Sequence, residues 1–435
     1  MHILVALLIM VMMSTAILGN LMLGGIKIYA LSLVFMAIIA FFELLKNRDR
    51  YILDTLNGEN SKIYLILLYV LFCASSLLWT DSKFDSFESI KKLVIVSSLV
   101  VSLPILIKGN LVSMKSISYI SFLSLAFICS VVFYYVYKFG VDNAYNIFKT
   151  GDVQSGNSIF TWYVVSVFGE SVFGNSQNIV AGYAVTIYGL FLVCSDRQSE
   201  KIKIIDIVAA VLICLILLLS LSKSAFIGFS VILTALYINK HSRFNAAALT
   251  MILFLLVFQP FFPFKEGLLA RFGVLQTQLS SIASTSRVEV KPEIEVKPDT
   301  AVDSRKQLWG AAIELFRSSP WIGHGYGGSR AVYQRTVSDG VNNPHNMILQ
   351  SLADLGMIGT LFMLLALSNV MALAYSLFKI TPSVSILLSS IIVGYLCRAM
   401  FGMQFSEVDI WLPIAVLVAY VHMLPALGEF DEKPI

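Results

Sequence analysis

Apolar stretches of about 20 residues recur from one end of this 435-residue chain to the other, each long enough to cross a bilayer as a helix. That pattern removes most folds at once. Hydrocarbon offers backbone groups no water, so a spanning segment must be a helix or a strand of a closed barrel, and continuous apolar runs of this length are helical. Only 13% of the residues are charged and 57% are hydrophobic, whereas soluble domains carry about 25% charged residues. The chain therefore reads as an all-α polytopic membrane protein. About twelve spans are expected by the length criterion: 3–23, 27–45, 62–80, 92–109, 115–137, 178–195, 203–221, 224–240, 246–263, 346–377, 381–400 and 408–427.

The first run, MHILVALLIMVMMSTAILGN, lacks a basic leader and passes straight into more apolar sequence, so it is read as a span and not as a cleaved signal. Cys73, Cys129, Cys194, Cys214 and Cys397 all lie within or at the ends of apolar segments. None forms a spaced pair or stands near clustered histidines, so neither a disulfide framework nor a metal site is expected. A net charge of +4 without a basic run gives no nucleic-acid partner.

Basic loops orient the array. KNRDRYILDTLNGENSK, DRQSEKIK and NKHSRF follow the second, sixth and eighth spans and belong in the cytoplasm by the positive-inside rule. Both termini are then cytoplasmic, and 138–177 and 264–344 face the other side, the periplasm of a Gram-negative cell. The Lys91–Lys92 pair falls on that outer side, which suggests a partly interfacial helix. The expected division is spans one to nine with the 138–177 loop over residues 1–263, an outer cap over 264–344, and spans ten to twelve with a cytoplasmic tail over 345–435. Within the cap, RFGVLQTQLSSIAS reads as an amphipathic helix, VEVKPEIEVKPDT as a loop, and Arg305 to Phe316 as a helix ended by Ser-Ser-Pro. A glycine-rich turn, Gly323 to Gly328, follows.

The polar residues with chemistry gather on this outer side. In NNPHNMILQSLADLGMIG, Asn343 is expected to cap a helix with Pro344 at its first position and His345 in its first turn. The positive end of the helix dipole there disfavours imidazolium and leaves the ring able to accept a proton, while free backbone N–H groups favour an anion. His345, Leu349, Leu352, Gly356 and Gly359 follow the helical period and would share one face. Small residues at 356 and 359 would let a neighbouring helix approach. Asp354, ~13 Å along the axis from His345 at the helical rise, is read as structural. Lys223 lies in LLLSLSKSAFIGF with Ser220, Ser222 and Ser224 around it; such a lysine either snorkels to the interface or meets an anion. Arg271, Arg305, Arg317 and His324 share the cap, and guanidinium groups hold phosphate oxygens in bidentate fashion.

Taken together these passages resemble the O-antigen ligase and polymerase superfamily of bacterial envelope enzymes. HNMILQSLADLGMIG fits the ligase pattern of His, then Asn, Ser or Gln, nine residues, Gly, two residues, and Gly, Thr or Tyr, at His345, Asn346, Gly356 and Gly359. SRKQLWGAAIELFRSSPWIGHGYGG is similar to the family's Arg-x-x-x-Trp helix and its Pro-Trp-x-Gly-x-Gly turn. GNSQNIVAGYA, around Asn178, is similar to its asparagine-containing start of a span. The agreement is concentrated in residues 174–360. The family usually carries arginine where this chain has Lys223, which keeps the charge and loses the bidentate fork.

The resemblance implies a GT-C-like all-α fold in the bacterial inner membrane and a periplasmic, metal-independent and cofactor-free glycosyltransferase. Its donor would be an undecaprenyl-diphosphate-linked glycan drawn from among the membrane lipids, and its acceptor lipid A–core. His345 would be the base, with Arg305, Lys223 and Arg271 countering the diphosphate and His324, Asn346, Asn178, Gly356 and Gly359 in supporting places. A polymerase joining two lipid-linked repeat units shares the same motifs and differs in its acceptor. A lipid-glycan flippase would require repeated halves with polar groups near the midplane, and neither is visible in the sequence.

Overall fold

The computed structural model describes residues 1–16, 22–23, 26–47, 63–80, 82–139, 177–195, 203–220, 222–239, 248, 300–336, 343–400 and 407–428. Among them the fold is all-helical apart from a hairpin of two-residue strands, β1 (Met22–Leu23) and β2 (Ile26–Lys27). Five helical stretches are long and apolar enough to cross a membrane: Ile28–Lys46, Lys83–Lys108, Met114–Val131, Met347–Phe378 and Pro382–Ala399. Shorter apolar helices occupy His2–Thr15, Tyr64–Leu78, Val180–Cys194, Ile204–Leu217, Ser224–Ile238 and Val408–Met423. Each overlaps an expected span, but the first helix ends at Thr15, short of the expected 3–23, and β1 follows it; of the expected span 246–263 only residue 248 is described. The protein is a multi-pass helical membrane protein.

Two helices form its centre. Helix α7 (Gln177–Cys194) is buried on all sides from Val180 to Cys194, and α14 (Val408–Gly428) is buried from Val408 through Ala419. A helix apolar all round belongs inside a large bundle. Around α7 pack α6 (Met114–Phe139), α8 (Ile204–Ser220), α9 (Lys223–Ile238) and α13 (Pro382–Ala399). On the outside, α2 (Ile28–Lys46) and α12 (Met347–Phe378) leave Phe41, Phe42, Leu361 and Leu364 exposed, as lipid-facing surfaces do.

The charged residues at the ends of these helices are paired. Arg398 of α13 is 3.1 Å from Asp409 of α14, with both side chains almost wholly buried. The Arg398 guanidinium fills a notch over Gly182 of α7, where any side chain would collide with it. A buried charge persists only when it is paired and packed in this way. The fourth span begins at Lys83 and not near 92: α4 (Lys83–Ser97) continues almost straight into α5 (Leu99–Lys108). Its polar first turns carry a Lys91–Glu88 pair at 2.6 Å, and Lys92 reaches Glu407 at the head of α14, 2.7 Å away. Lys92 thus ties two helices together.

Helix α12 is interrupted. Gly356 has φ 64° and ψ −165°, backbone that only glycine adopts readily. The break frees backbone groups that water cannot serve, and a second segment meets them. Helix α10 (Thr300–Ser318) starts earlier and ends later than the sequence suggested, and the turn after it lies directly on the break. His324 N–H donates to Ala353 C=O at 3.1 Å, Met357 N–H to Pro320 C=O at 2.8 Å and Ile358 N–H to Trp321 C=O at 3.1 Å. The two backbones are so close that a Cβ on Gly356 would meet the Trp321 carbonyl, and one on Gly323 (φ 63°) would meet that of Asp354. The expected single face from His345 through Gly359 is therefore absent, because the break re-aims everything beyond it. Gly356→Ala is expected to destabilise the protein by ~3 kcal/mol, combining positive-φ strain with overpacking. Thermal unfolding in detergent measures this, and Gly310→Ala, at an open helix position, is the control that should cause no loss of stability, since alanine favours the helix by about 1 kcal/mol.

Candidate functional site

The histidine turn is built by long-range contacts. Asn343 Oδ1 accepts from the His345 backbone N–H at 2.9 Å, a local Asx turn. His345 has φ 52°, left-handed backbone that histidine tolerates better than most residues. The N-cap of α12 is Asn346, whose Oδ1 accepts from Ile348 N–H at 3.0 Å and Leu349 N–H at 3.1 Å. This corrects the expected register: Asn343 is not the cap, Pro344 is not the first helical residue, and His345 stands one residue ahead of the cap. His345 is half-buried and directly precedes the residue that caps the positive end of the helix.

Helix α10 reaches this turn from across the chain. Trp309 Nε1–H donates to the Pro344 carbonyl at 3.0 Å. Leu308 and Ala312 of α10 join Tyr333 of α11 (Arg330–Thr336) and Ala353 of α12 in a small core of their own. Burial there pushes the Tyr333 hydroxyl above its ordinary range. Arg305 sits four residues before Trp309 on α10, so the two positions share a helix face. Arg305 is thereby placed one turn from the contact that holds the peptide preceding His345.

Asp354, read from the sequence as structural, is the anchor of the glycine-rich turn. Its buried carboxylate accepts from Gly327 N–H at 3.1 Å, Ser329 N–H at 3.4 Å, the Ser329 hydroxyl, and Gln350 Nε2–H at 3.5 Å. The same turn is held from the other side by helix α3 (Tyr64–Ser75) and the residues after it. Ser76 Oγ accepts from Tyr326 N–H at 2.9 Å, and Trp79 Nε1–H donates to Ile322 C=O at 3.1 Å. His324 closes the end of α10, its Nε2 lying 3.1 Å from Leu315 C=O and 2.8 Å from Ser318 Oγ. His324 thus satisfies a helix C-terminus within the cap.

Of the remaining expected residues, Lys223 is the first residue of α9 and Asn178 the second of α7; for these and Arg305 only the helical backbone is described. Ser222 caps α9 by accepting from Ala225 N–H at 3.3 Å, and Ser222 and Ser224 hydroxyls lie 3.2 Å apart. Lys223 is thus a cation at the positive end of a helix, an arrangement that an anion would relieve. Gly359 packs against Phe72 of α3. Arg271, the 271–284 stretch, the repeated EVKP and residues 140–176 lie outside the described residues. Among the described residues no three His, Cys, Asp or Glu gather to hold a metal ion. The sequence reading passed over Arg398, Asp409 and the Lys92–Glu407 pair. Their signal was a lone arginine at the end of one span, eleven residues before an aspartate opening the next.

Residues 208–364 match the family model described as O-antigen ligase. The matched stretch takes in Lys223, Arg305, His324, His345, Gly356 and Gly359, and it supports the resemblance read from the sequence there. No curated protein matches the chain. Asp354→Ala would leave the Gly327 and Ser329 amides buried without their acceptor, at a cost of ~3 kcal/mol. Limited proteolysis should then cut within 319–329 in the variant and spare that turn in the unaltered protein.

Proposed function

We propose that the protein is an inverting, metal-independent glycosyltransferase of the bacterial inner membrane, moving a glycan from undecaprenyl diphosphate to a hydroxyl of lipid A–core on the periplasmic face. In this reading both termini are cytoplasmic and residues 264–344 form the periplasmic cap over the membrane region. The observation that carries it is the O-antigen ligase match over 208–364, within which all three candidate reacting positions, 223, 305 and 345, fall. The Trp309–Pro344 hydrogen bond adds geometry, because it ties the arginine helix to the histidine turn.

The chemistry follows from the donor. Its anomeric carbon carries diphosphate, and an acceptor hydroxyl attacks that carbon from the opposite side. A new C–O bond forms as the bond to the diphosphate oxygen breaks, so the anomeric configuration inverts. The hydroxyl proton passes to the neutral imidazole of His345 as general base. Negative charge grows on the departing lipid diphosphate, and Arg305 with Lys223, joined by Arg271, offsets it electrostatically. His324, Asn346, Asn178, Gly356 and Gly359 then hold backbone and helix ends in place around the reacting groups. The histidine pattern and the family description both favour the ligase over the polymerase. Purified protein given the lipid-linked glycan with lipid A–core, or with a second lipid-linked glycan alone, separates the two.

Transfer by His345→Asn and Arg305→Ala in membranes with matched protein levels is expected to fall by ~10²-fold or more. Asparagine tolerates left-handed backbone, so the first change spares the turn. Lys223→Arg should keep activity and Lys223→Ala should lose it. Near-normal transfer by both the His345 and Arg305 variants would remove this mechanism, and equal activity of the two Lys223 variants would reduce that residue to a snorkelling lysine.

A further inference from the structure

Helix α10 runs beside the first half of α12, from Trp309 at the level of Pro344 down to Pro320 at the level of Met357. The turn that follows is where the cap comes closest to the bundle. Trp321 stands in that turn with 64% of its surface exposed, and Ile322 after it is exposed too. Neither residue is free to fold away. Trp321 C=O accepts from Ile358 N–H on one side, and Ile322 C=O accepts from Trp79 Nε1–H on the other, each at 3.1 Å. An indole held outward by fixed backbone marks a surface made for contact.

Helix α12 gives the level of this turn in a bilayer. From Gly356 to the end of the helix at Phe378 is ~33 Å at the helical rise of ~1.5 Å per residue, and the hydrocarbon layer is ~30 Å thick. At the far end Lys379 Nζ lies 5.0 Å from the ring of exposed Tyr375, an aromatic and a cation of the kind found at a bilayer interface. Gly356, and with it Trp321, therefore falls at the opposite boundary of the hydrocarbon. The neighbouring surface fits that level. Ile358, Leu361 and Leu364 continue from the turn along the exposed side of α12, and Leu71 and Leu78 are exposed on α3 and just after it. Phe72 joins the two surfaces, its ring 5.8 Å from Trp79 and 5.1 Å from Phe362. Arg317 is exposed one helical turn before Trp321, on the cap's side.

We propose that the Trp321–Ile322 turn is a bilayer anchor, its side chains lying among the glycerol and upper acyl carbons of the leaflet on the cap's side, with Arg317 at the lipid phosphates. An indole suits that layer because its ring is apolar and its N–H still finds partners there, and an arginine one turn above adds charge complementary to phosphate. Lipid is the occupant because the patch runs without a break into the lipid-facing side of α12; a protein seated on Trp321 would have to displace lipid from Leu78 and Leu361 as well. The turn and the break at Gly356 are one hydrogen-bonded unit, so anchoring the turn sets the height of the whole joint in the membrane. The inference needs only the multi-pass fold and stands apart from the transfer reaction.

The test is photo-crosslinking of the full chain in nanodiscs of phosphatidylethanolamine and phosphatidylglycerol. The variant Trp321→benzoylphenylalanine is irradiated and weighed intact, with Leu361→benzoylphenylalanine as the lipid-facing control. The expected result at 321 is a mass shift of a single phospholipid, attached at the glycerol or the upper part of an acyl chain. An unshifted mass at 321 while the control shifts puts the turn in water, and a crosslink from 321 to another segment or another protein puts protein over it; either overturns the anchor. A second readout is energetic. Trp321→Glu should unfold several degrees below Trp321→Phe in the same nanodiscs, because a charge is costly at the hydrocarbon boundary. On a water-facing turn the two variants would unfold together, and that result also overturns the proposal.

Discussion

An interrupted helix inside a bundle has N–H and C=O groups that hydrocarbon cannot satisfy, each costing several kcal/mol if left alone. The break at Gly356 is viable because the turn from Pro320 to His324 supplies the missing partners through three backbone hydrogen bonds. The dependence is mutual. The turn would otherwise be an irregular strip of backbone with its own unmet groups, and it too is completed by α12. Glycines at 323 and 356 bring the two backbones close enough for this exchange. Asp354 then fixes the far end of the turn through Gly327 and Ser329.

This joint bears on where the proposed base and its counter-charge stand. Helix α10 leads into the turn, α11 leaves it, and both pack their apolar faces on the first half of α12. The short piece of α12 ahead of the break, from Met347 to Leu355, is therefore held by the cap as much as by the bundle. His345 precedes that piece and Arg305 belongs to the helix packed against it, so the proposed base and the proposed counter-charge are carried by segments that pack on one another. Lys223 comes from α9, which packs on α7 and α13. The proposed donor site thus draws residues from both the cap and the bundle.

Much of the fold was legible because burial in a bilayer leaves a simple trace: apolar runs of spanning length, read off without knowledge of any contact. The helix after His345 and the glycine-rich turn were legible too, from Asn-Pro-His-Asn and Pro-Trp-x-Gly-x-Gly. Their joining was not. Asn343 and Asn346 are both good caps, and local sequence gives no way to choose between them. The choice of Asn346 follows from Asn343 being engaged by His345 N–H and from Trp309, 35 residues upstream, holding the Pro344 carbonyl. Gly356 looked like a small residue for helix packing, because the segment that occupies its break is a long way off in the chain. Arg398 and Asp409 were missed for the same reason: each is unremarkable until the other, and the notch at Gly182, is seen beside it.

The most direct check of the joint is hydrogen exchange at the amides of His324, Met357 and Ile358 in lipid nanodiscs. The account predicts that all three exchange as slowly as amides in the body of α12, since opening the turn would expose both segments together. Exchange of His324 at the rate of an unprotected peptide, while the rest of α12 stays protected, would contradict it.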